Sequence, residues 1–546
     1  MTMKKISLFI CGLAMMAGLA SCMDSEYTEL YDDPNKTTNV GCDKLMTGVF
    51  IQESIGRNYA YNSYWRMYTW DNIFAKYAQT VGFNNESGNM YYAADSYVDN
   101  RWENFYIMLS QYRTLEAKYN AGDANARAND ILYKNLAEVF VIDNLTQMAD
   151  LFGDMPYTGA STIGQTIDIV KSKAAYDDDV EIYRNALTRL DELYKELASA
   201  KLTELQKKTL VAQDFINKGD LSKWIAYANS LRLRIAVHVA AQGTLTSEAR
   251  NAIKECMGRP LIDDDAKNIE LYADLDGFNY WENFRDAYKD INNVASQPMI
   301  DAMQKISGEN DPRLLVMYEK NAAGNYVGKS RTETGNFQSN HASSWNEKGP
   351  LKWGKHYYSY LDSCTFTGNN YFISPILTAA EVHFLKAEAI QNGWVSGDAK
   401  GEFVKGMIAS TKFYYRQNNH EYNGATHPST KISPTGTVAA YPGNDAVTAY
   451  AEKAWDAFND KLEAIITEKW VHFGAIQPTQ AWTDIRRTGF PALIYPEDNS
   501  QQNADFRKLP NRVKWPTTER ANNSENYNAA AAIQADSPST KLFWQK

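Results

Sequence analysis

The stretch GDLSKWIAYANSLRLRIAVHVA, Gly219–Ala240, decides the fold class. Trp224, Ala228, Leu231, Ile235 and Val239 recur at helical spacing and form one apolar stripe. Asp220 ahead of them is a candidate N-cap, whose carboxylate can take a free backbone N–H. The alternation Leu231-Arg232-Leu233-Arg234 turns the leucines inward and sets the guanidinium groups on the flank, where they pair with carboxylates or cap carbonyls. Further along, Ala451, Trp455, Phe458, Leu462 and Ile465 form a second stripe, with Asp445 as its candidate cap. From about Asn129 to Ala149 the chain is apolar nearly all round, which predicts a helix buried between neighbours and stopped by Gly153 and Pro156. Helices are also expected near 43–55, 99–119, 178–199, 246–257, 378–391 and 399–415, and strand signals are few and short. The prediction is an all-α fold: a TPR-like scaffold of helical pairs with degenerate repeats and long irregular loops.

The 546 residues carry a formal charge of -10, with 44% hydrophobic and 22% charged side chains. That composition folds, and its acidic balance argues against a nucleic-acid partner, since phosphate neutralisation needs clustered Lys and Arg. The N-terminus opens with Lys4 and Lys5, continues through the uncharged apolar run Ile6–Ala20, and ends in Leu19-Ala20-Ser21-Cys22. The run is shorter than the roughly 20 residues of a spanning helix and suits a signal peptide. The small residues before Cys22 resemble the lipobox of bacterial lipoproteins, which predicts a signal peptide over 1–21 and acyl chains on Cys22. Removing 1–21 takes away Lys4 and Lys5 and no acid, so the mature charge becomes -12. Asp24 and Glu26 resemble the acidic surface-export signal of Bacteroidota lipoproteins. Residues 22–546 read as one domain with polar insertions near 321–370 and 416–444, and with a mostly irregular stretch from about Tyr495. Cys42, Cys256 and Cys364 allow at most one disulfide and show no metal-binding spacing.

Six stretches identify a family. DLFGDMPYT (Asp150–Thr158), the Gly219–Ala240 helix, NDPRL (Asn310–Leu314), ILTAAEVHFLKAEAIQNGW (Ile376–Trp394), EKWVHF with QAWTDIRRTGFP (within Glu468–Pro491) and TKLFW (Thr540–Trp544) resemble, in order, the markers of the SusD/RagB family of nutrient-binding outer-membrane lipoproteins. Read residue by residue they are structural. Glu381 and Glu388, seven apart on one helix face, suit inter-helix salt bridges better than acid/base work, and Arg486-Arg487 suit tying a turn to neighbouring helices. His238 reads as a core histidine, and Trp65 and Trp102 as core tryptophans. His420 and His427 do not have a ligand spacing. The runs Asp177–Asp179 and Asp263–Asp265 have the chemistry to hold a structural Ca²⁺ but match no Ca²⁺ loop. With no nucleophile, phosphate-binding or zinc motif the expectation is a protein without enzymatic activity and without a cofactor.

Binding chemistry is better represented. A sugar offers C–H groups on a ring face, which flat aromatics can stack, and rim hydroxyls, which amides and carboxylates can bond. Three polar stretches combine these groups: Asn84, Asn85, Tyr91 and Tyr92; Tyr280 and Trp281; and Trp345, Trp353, Tyr357 and Tyr358. The resemblance implies that they serve a ligand site, with a glycan as the expected nutrient and a SusC-like TonB-dependent outer-membrane transporter as the partner. The alternative is a lid or interaction subunit of that transporter, with peptide or another nutrient as cargo. The lipid would hold the protein on the outer membrane, facing the cell exterior. Replacing Cys22 by Ala should move the protein from the membrane to the soluble fraction on cell fractionation; retention in the membrane would refute lipidation there.

Overall fold

Helical periodicity is realised along most of the computed structural model, which describes residues 40–51, 72–82, 89–272, 294–321, 323–332, 358–369, 371–422, 425–427, 436 and 438–546. Its first half contains α1 (Cys42–Ile51), α2 (Asn72–Tyr77), α3 (Asp95–Ala121), α4 (Ala124–Phe152), α5 (Asp179–Ser199), α6 (Glu204–Gln213), α7 (Leu221–Val239) and α8 (Thr246–Met257). The strand β1 (Ile269–Tyr272), helix α9 (Gln297–Lys305) and strand β2 (Ile373–Leu377) follow. Then come α10 (Ala379–Gln391), α11 (Ala399–Asn418) and the short strands β3 (Glu421–Tyr422) and β4 (Ala425–Thr426). The chain closes with α12 (Asn444–Ala457), α13 (Lys461–Phe473), α14 (Pro478–Thr488), α15 (Thr517–Asn522) and α16 (Ser524–Ile533). Strand β1 pairs antiparallel with β2, Ile269 opposite Leu377 and Tyr272 opposite Ile373, and β3 pairs with β4.

Local chemistry sets the helix ends. The Asp220 carboxylate accepts from the backbone N–H groups of Ser222 and Lys223, as expected of an N-cap. Helix α4 starts earlier than its apolar run, at an Asp123 cap, and stops where the Gly153 N–H bonds the Ala149 carbonyl. The stripe around Ala451 departs from expectation: it is two helices. Asn444 begins α12 behind Gly443, so Asp445 lies in the first turn and is not the cap. The Lys461 ammonium takes the Trp455 and Phe458 carbonyls at the end of α12. Asp460 then caps α13 through the Leu462 N–H. The C-terminal stretch is also more ordered than expected, because it carries α15 and α16.

Helices pack in pairs, α3 with α4, α5 with α7, α7 with α8, and α10 with α11, while α10 also meets α7 and α13. Trp102 and His238 lie in the core, as expected, and Trp65 lies outside the described residues. Arg234 does not sit on the flank of α7. It is buried, and its Nε and Nη2 form a bidentate pair with Glu381 of α10 at 2.6 and 2.7 Å, while Nη1 reaches Asp143 of α4. Glu388, two turns along α10, takes both terminal nitrogens of Arg487, and Arg487 Nε bonds Asp484 at 2.7 Å. Lys469 of α13 also reaches Asp484, at 3.1 Å. Arg313 is fully buried between Asp311 and Glu468. Arg486 sits over the Trp482 ring at 3.7 Å and over the Trp544 ring at 5.0 Å, and donates to the Asp150 and Asn511 carbonyls. Arg486 and Arg487 lie in the last turn of α14 and tie it to neighbouring segments.

Cys42, Cys256 and Cys364 are free and buried, and burial pushes each thiol up to about 12. Breaking a buried bidentate pair leaves a charge without its partner, which costs about 3–5 kcal/mol. Arg487→Ala should therefore lower the urea-unfolding free energy by that amount. Arg184→Ala, which removes an exposed pair with Glu181, should cost less than about 1 kcal/mol. Equal effects would show that the buried network does not carry stability.

Candidate functional site

Three stretches singled out for ligand chemistry each have at least one end on one seam of backbone. Gly82 pairs with Val294 through a 2.7 Å bond from the Gly82 N–H to the Val294 carbonyl. Ala295 donates to Ser359 at 2.8 Å, Lys329 donates to Ala295 at 2.8 Å, and Ser359 donates to Val327 at 2.7 Å. The Ser296 hydroxyl reaches back to the Gln79 carbonyl at 2.6 Å. The approach is close enough to demand glycine: a Cβ on Gly82 would lie 2.6 Å from the Ala295 oxygen, and one on Gly328 would lie 2.3 Å from Ser296. The chain just ahead of 83–88, just after 273–293, and on both sides of 333–357 is thus joined in one place on the helical scaffold.

Of the residues expected to bind ligand, Cys22 for the lipid and Asn84, Tyr280, Trp281, Trp345, Trp353 and Tyr357 for the nutrient lie outside the described residues, as does Asn85. Tyr91, Tyr92 and Tyr358 are described. Tyr358 is buried and packs on Val294, so its ring secures the seam. Tyr91 is fully buried as well. Its hydroxyl donates to the Pro496 carbonyl at 2.6 Å, its own carbonyl accepts from Tyr77 at 2.6 Å, and the Arg331 guanidinium lies 5.1 Å from its ring. The Met90 N–H donates to Asp498, and Arg331 donates to the Met90 carbonyl. Neither buried ring offers a face to a ligand, for the same reason: each is an anchor. Tyr92, the next residue, is 42% exposed, with its ring edge-on to Phe506 at 5.3 Å. The clamps Arg331 and Asp498 carry no signal in the sequence, because their role depends on a partner some 240 and 400 residues away.

The family profile described as "SusD-like: Susd and RagB outer membrane lipoprotein" matches residues 28–545. The chain belongs to the SusD/RagB family. Solved structures agree on the fold. A chitin-binding protein superposes with a TM-score of 0.70 at 19% identity, covering 93% of this chain and 100% of its own. A SusD-like protein from Bacteroides thetaiotaomicron VPI-5482 gives 0.65 at 21% identity, covering 92% and 98%. A chitin-binding SusD homolog from Flavobacterium johnsoniae gives 0.65 at 18%, covering 91% and 98%. No curated protein matches the chain by sequence. Among the described residues no helix is long and apolar enough to cross a membrane.

The titratable groups of this SusD-like scaffold are largely engaged in holding it. Glu381 and Glu388 form the inter-helix pairs expected of them. His472, between Thr378 and Ser410, is pushed down to about 3 by burial and by Arg313 and Lys469, so it stays neutral. His420 bonds the Cys364 carbonyl, and His427 stacks on Tyr371 and Tyr422. The aspartate runs separate. Asp263 pairs with Lys267, Asp264 caps a short 3₁₀ turn, and burial pushes Asp265 up to about 6. Asp177 binds the Tyr157 and Thr158 N–H groups, whereas Asp178 and Asp179 meet Asp154, with carboxylate oxygens within 4.8 Å of one another.

Gln534 turns its amide nitrogen toward Asp154 and Asp179 at 3.5 Å, a donor where a cation would need an acceptor. Burial and the two neighbouring carboxylates push Asp179 up to about 7. Its folded form therefore holds a proton that the unfolded chain, with an aspartate near 3.9, releases earlier. The group's contribution to stability is most favourable below about pH 4 and is lost as the pH rises to 7. Asp179→Asn should raise the urea midpoint more at pH 8 than at pH 5, and equal shifts at both would exclude a shared proton at this cluster.

Proposed function

We propose that this SusD-like chain is a cell-surface lipoprotein of the outer membrane, anchored through Cys22, that captures a glycan and delivers it to a SusC-like TonB-dependent transporter. The observation that carries the reading is the seam at Gly82, Val294, Lys329 and Ser359. It joins at least one root of each of three stretches in which the sequence concentrates Asn, Tyr and Trp, the side chains a sugar needs. Two of the similar structures are described as chitin-binding, which supports a saccharide over a peptide as cargo. The chemistry asks no catalysis of the protein: aromatic faces hold the ring, amides and carboxylates hold the hydroxyls, and the transporter takes the bound ligand.

Trp345 and Trp353 are the tryptophans of the longest of these stretches. A stacking aromatic contributes about 0.5–1.5 kcal/mol beyond its buried area, so removing both should weaken oligosaccharide binding roughly tenfold or more. The test is calorimetric titration of residues 23–546 and of the Trp345→Ala/Trp353→Ala variant with chitohexaose and maltoheptaose. Far-UV circular dichroism serves as the check on folding. Failure of the parent chain to bind a broad panel of oligosaccharides, together with tight co-purification with a barrel, would favour the lid role instead.

A further inference from the structure

The connection between α4 and α5 carries an apolar projection. It makes one short helical turn, Ile163–Thr166, and then a tight bend. Ile163, Ile167, Ile169 and Val170 are all exposed, the last three at 90, 70 and 76%. Four branched aliphatic side chains in so short a segment are left in water, although burying any of them would be favourable. Backbone hydrogen bonds hold them there. The Ile167 N–H bonds the Ile163 carbonyl at 2.9 Å, and the Ser172 N–H returns to the Asp168 carbonyl at 3.0 Å. The Asp168 carboxylate accepts from the Val170 and Lys171 N–H groups at 3.0 and 3.2 Å. The Gln165 amide donates to the Arg113 carbonyl at 2.8 Å and the Ser161 hydroxyl to the Tyr106 carbonyl at 3.2 Å, which roots the segment on α3. Ile167 has φ of 51°, a left-handed conformation that a β-branched residue adopts at a cost. The bend thus keeps aliphatic groups pointing outward against both solvent and backbone preference.

Two observations say what covers this projection. The first is where the tether ends. The family is one of outer-membrane lipoproteins, and only residues 22–39, at most about 60 Å of extended chain, separate Cys22 from the start of the described body. Val40 leads into α1, which packs on α3 with Gly48 facing Gln111. Glu103, Ile107, Ser110 and Thr114 form an exposed stripe along α3. Helical spacing puts Gln111 on one side of that stripe and the roots of the bend, Tyr106 and Arg113, on the other. The anchored end of the chain and the apolar bend therefore border one exposed face. The second observation is charge. Residues 162–173 carry the exposed Lys171 and Lys173 against Asp168, a net +1 within a mature chain of -12. Aliphatic side chains at the tip with lysines behind them match hydrocarbon beneath anionic headgroups.

Resting on the lipid-anchored reading above, we propose that this bend is a second membrane contact. Ile167, Ile169 and Val170 enter the lipid surface beside the anchor, and Lys171 and Lys173 stay with anionic headgroups. Acyl chains hold a protein on a membrane without fixing which side of it faces the lipid. A rooted bend a short distance from the tether supplies that second point and turns the exposed face of α3 toward the membrane.

The test uses the acylated mature chain, in which the buried Cys42, Cys256 and Cys364 leave an introduced surface cysteine as the one that takes a label. Ile167→Cys is coupled to an environment-sensitive fluorophore and mixed with vesicles of phosphatidylethanolamine and phosphatidylglycerol. Val438→Cys, an exposed position beside the end of α11, is the control. Both labelled chains should keep the parent melting temperature and float with the vesicles. The probe at 167 should shift to the blue and be quenched by lipids spin-labelled near the headgroup, roughly fivefold more than the probe at 438. Adding Ile169→Asp/Val170→Asp should remove most of that difference. Equal emission and quenching at 167 and 438 in a chain that floats would overturn the contact and leave the anchor standing. Quenching that survives the two aspartates would overturn it too, as would a blue shift that appears only when a barrel is added, since the bend would then dock on protein. A chain that does not float would overturn the anchor and this contact with it.

Discussion

The structure depends on arginines buried against carboxylates that come from distant parts of the chain. Arg234 with Glu381 ties α7 to α10, Arg487 with Glu388 ties α14 to α10, and Arg313 with Glu468 ties the segment before residue 314 to α13. Desolvating such charges is expensive, and an apolar core of equal volume would often be as stable. What the pairs add is geometry. A planar guanidinium matched to a carboxylate fixes distance and orientation together, so a helix slipping by one turn would strand a buried charge. Apolar stripes of Leu, Ile and Ala tolerate such slips far better, since many registers bury the same area.

The same pairs explain why the recognisable stretches are where they are. Arg234 lies in the Gly219–Ala240 helix and Glu381 in the stretch from Ile376, which also supplies Glu388 to the Arg487 of the QAWTDIRRTGFP stretch. NDPRL contributes Arg313 to the Glu468 of EKWVHF. Arg486 is covered by Trp544 of TKLFW and donates to the Asp150 carbonyl at the start of DLFGDMPYT. Six stretches scattered over some 400 residues are in space the two sides of a few buried contacts. Their residue types are constrained in pairs, and the pairs describe a scaffold, so they carry information about family and almost none about cargo.

This division accounts for what could be read from the residues alone. Helices with a regular stripe are legible: α8 falls on Thr246–Met257, and α5 and α10, capped by Asp178 and Thr378, fall within a residue of the expected bounds. The break between α12 and α13 escaped because the apolar positions keep their phase across Phe458–Asp460, and only Lys461 folding back onto the Trp455 and Phe458 carbonyls ends the first helix. Alternation alone sets Arg234 on a flank, because it cannot say whether a neighbouring helix will bring a carboxylate. Tyr91 and Tyr92 are adjacent and chemically identical, yet one is an anchor and the other open to solvent. Pro496, Tyr77 and Arg331 decide that difference, and all three are remote or at least fourteen residues away.

A helical scaffold with polar stretches rooted at one seam has a further physical consequence. The seam at Gly82, Val294, Lys329 and Ser359 is made of backbone hydrogen bonds, which any residue except proline can supply, and of glycines where the strands crowd. Side chains beyond those roots can therefore change without disturbing the helices, whose registers are set by arginine–carboxylate pairs elsewhere. Changes in those stretches and the stability of the helices are thus governed by different interactions. In the parts of the chain with no periodicity, composition suggests the type of contact, and the neighbours brought in by the fold decide which aromatic faces outward, as at Tyr91 and Tyr92.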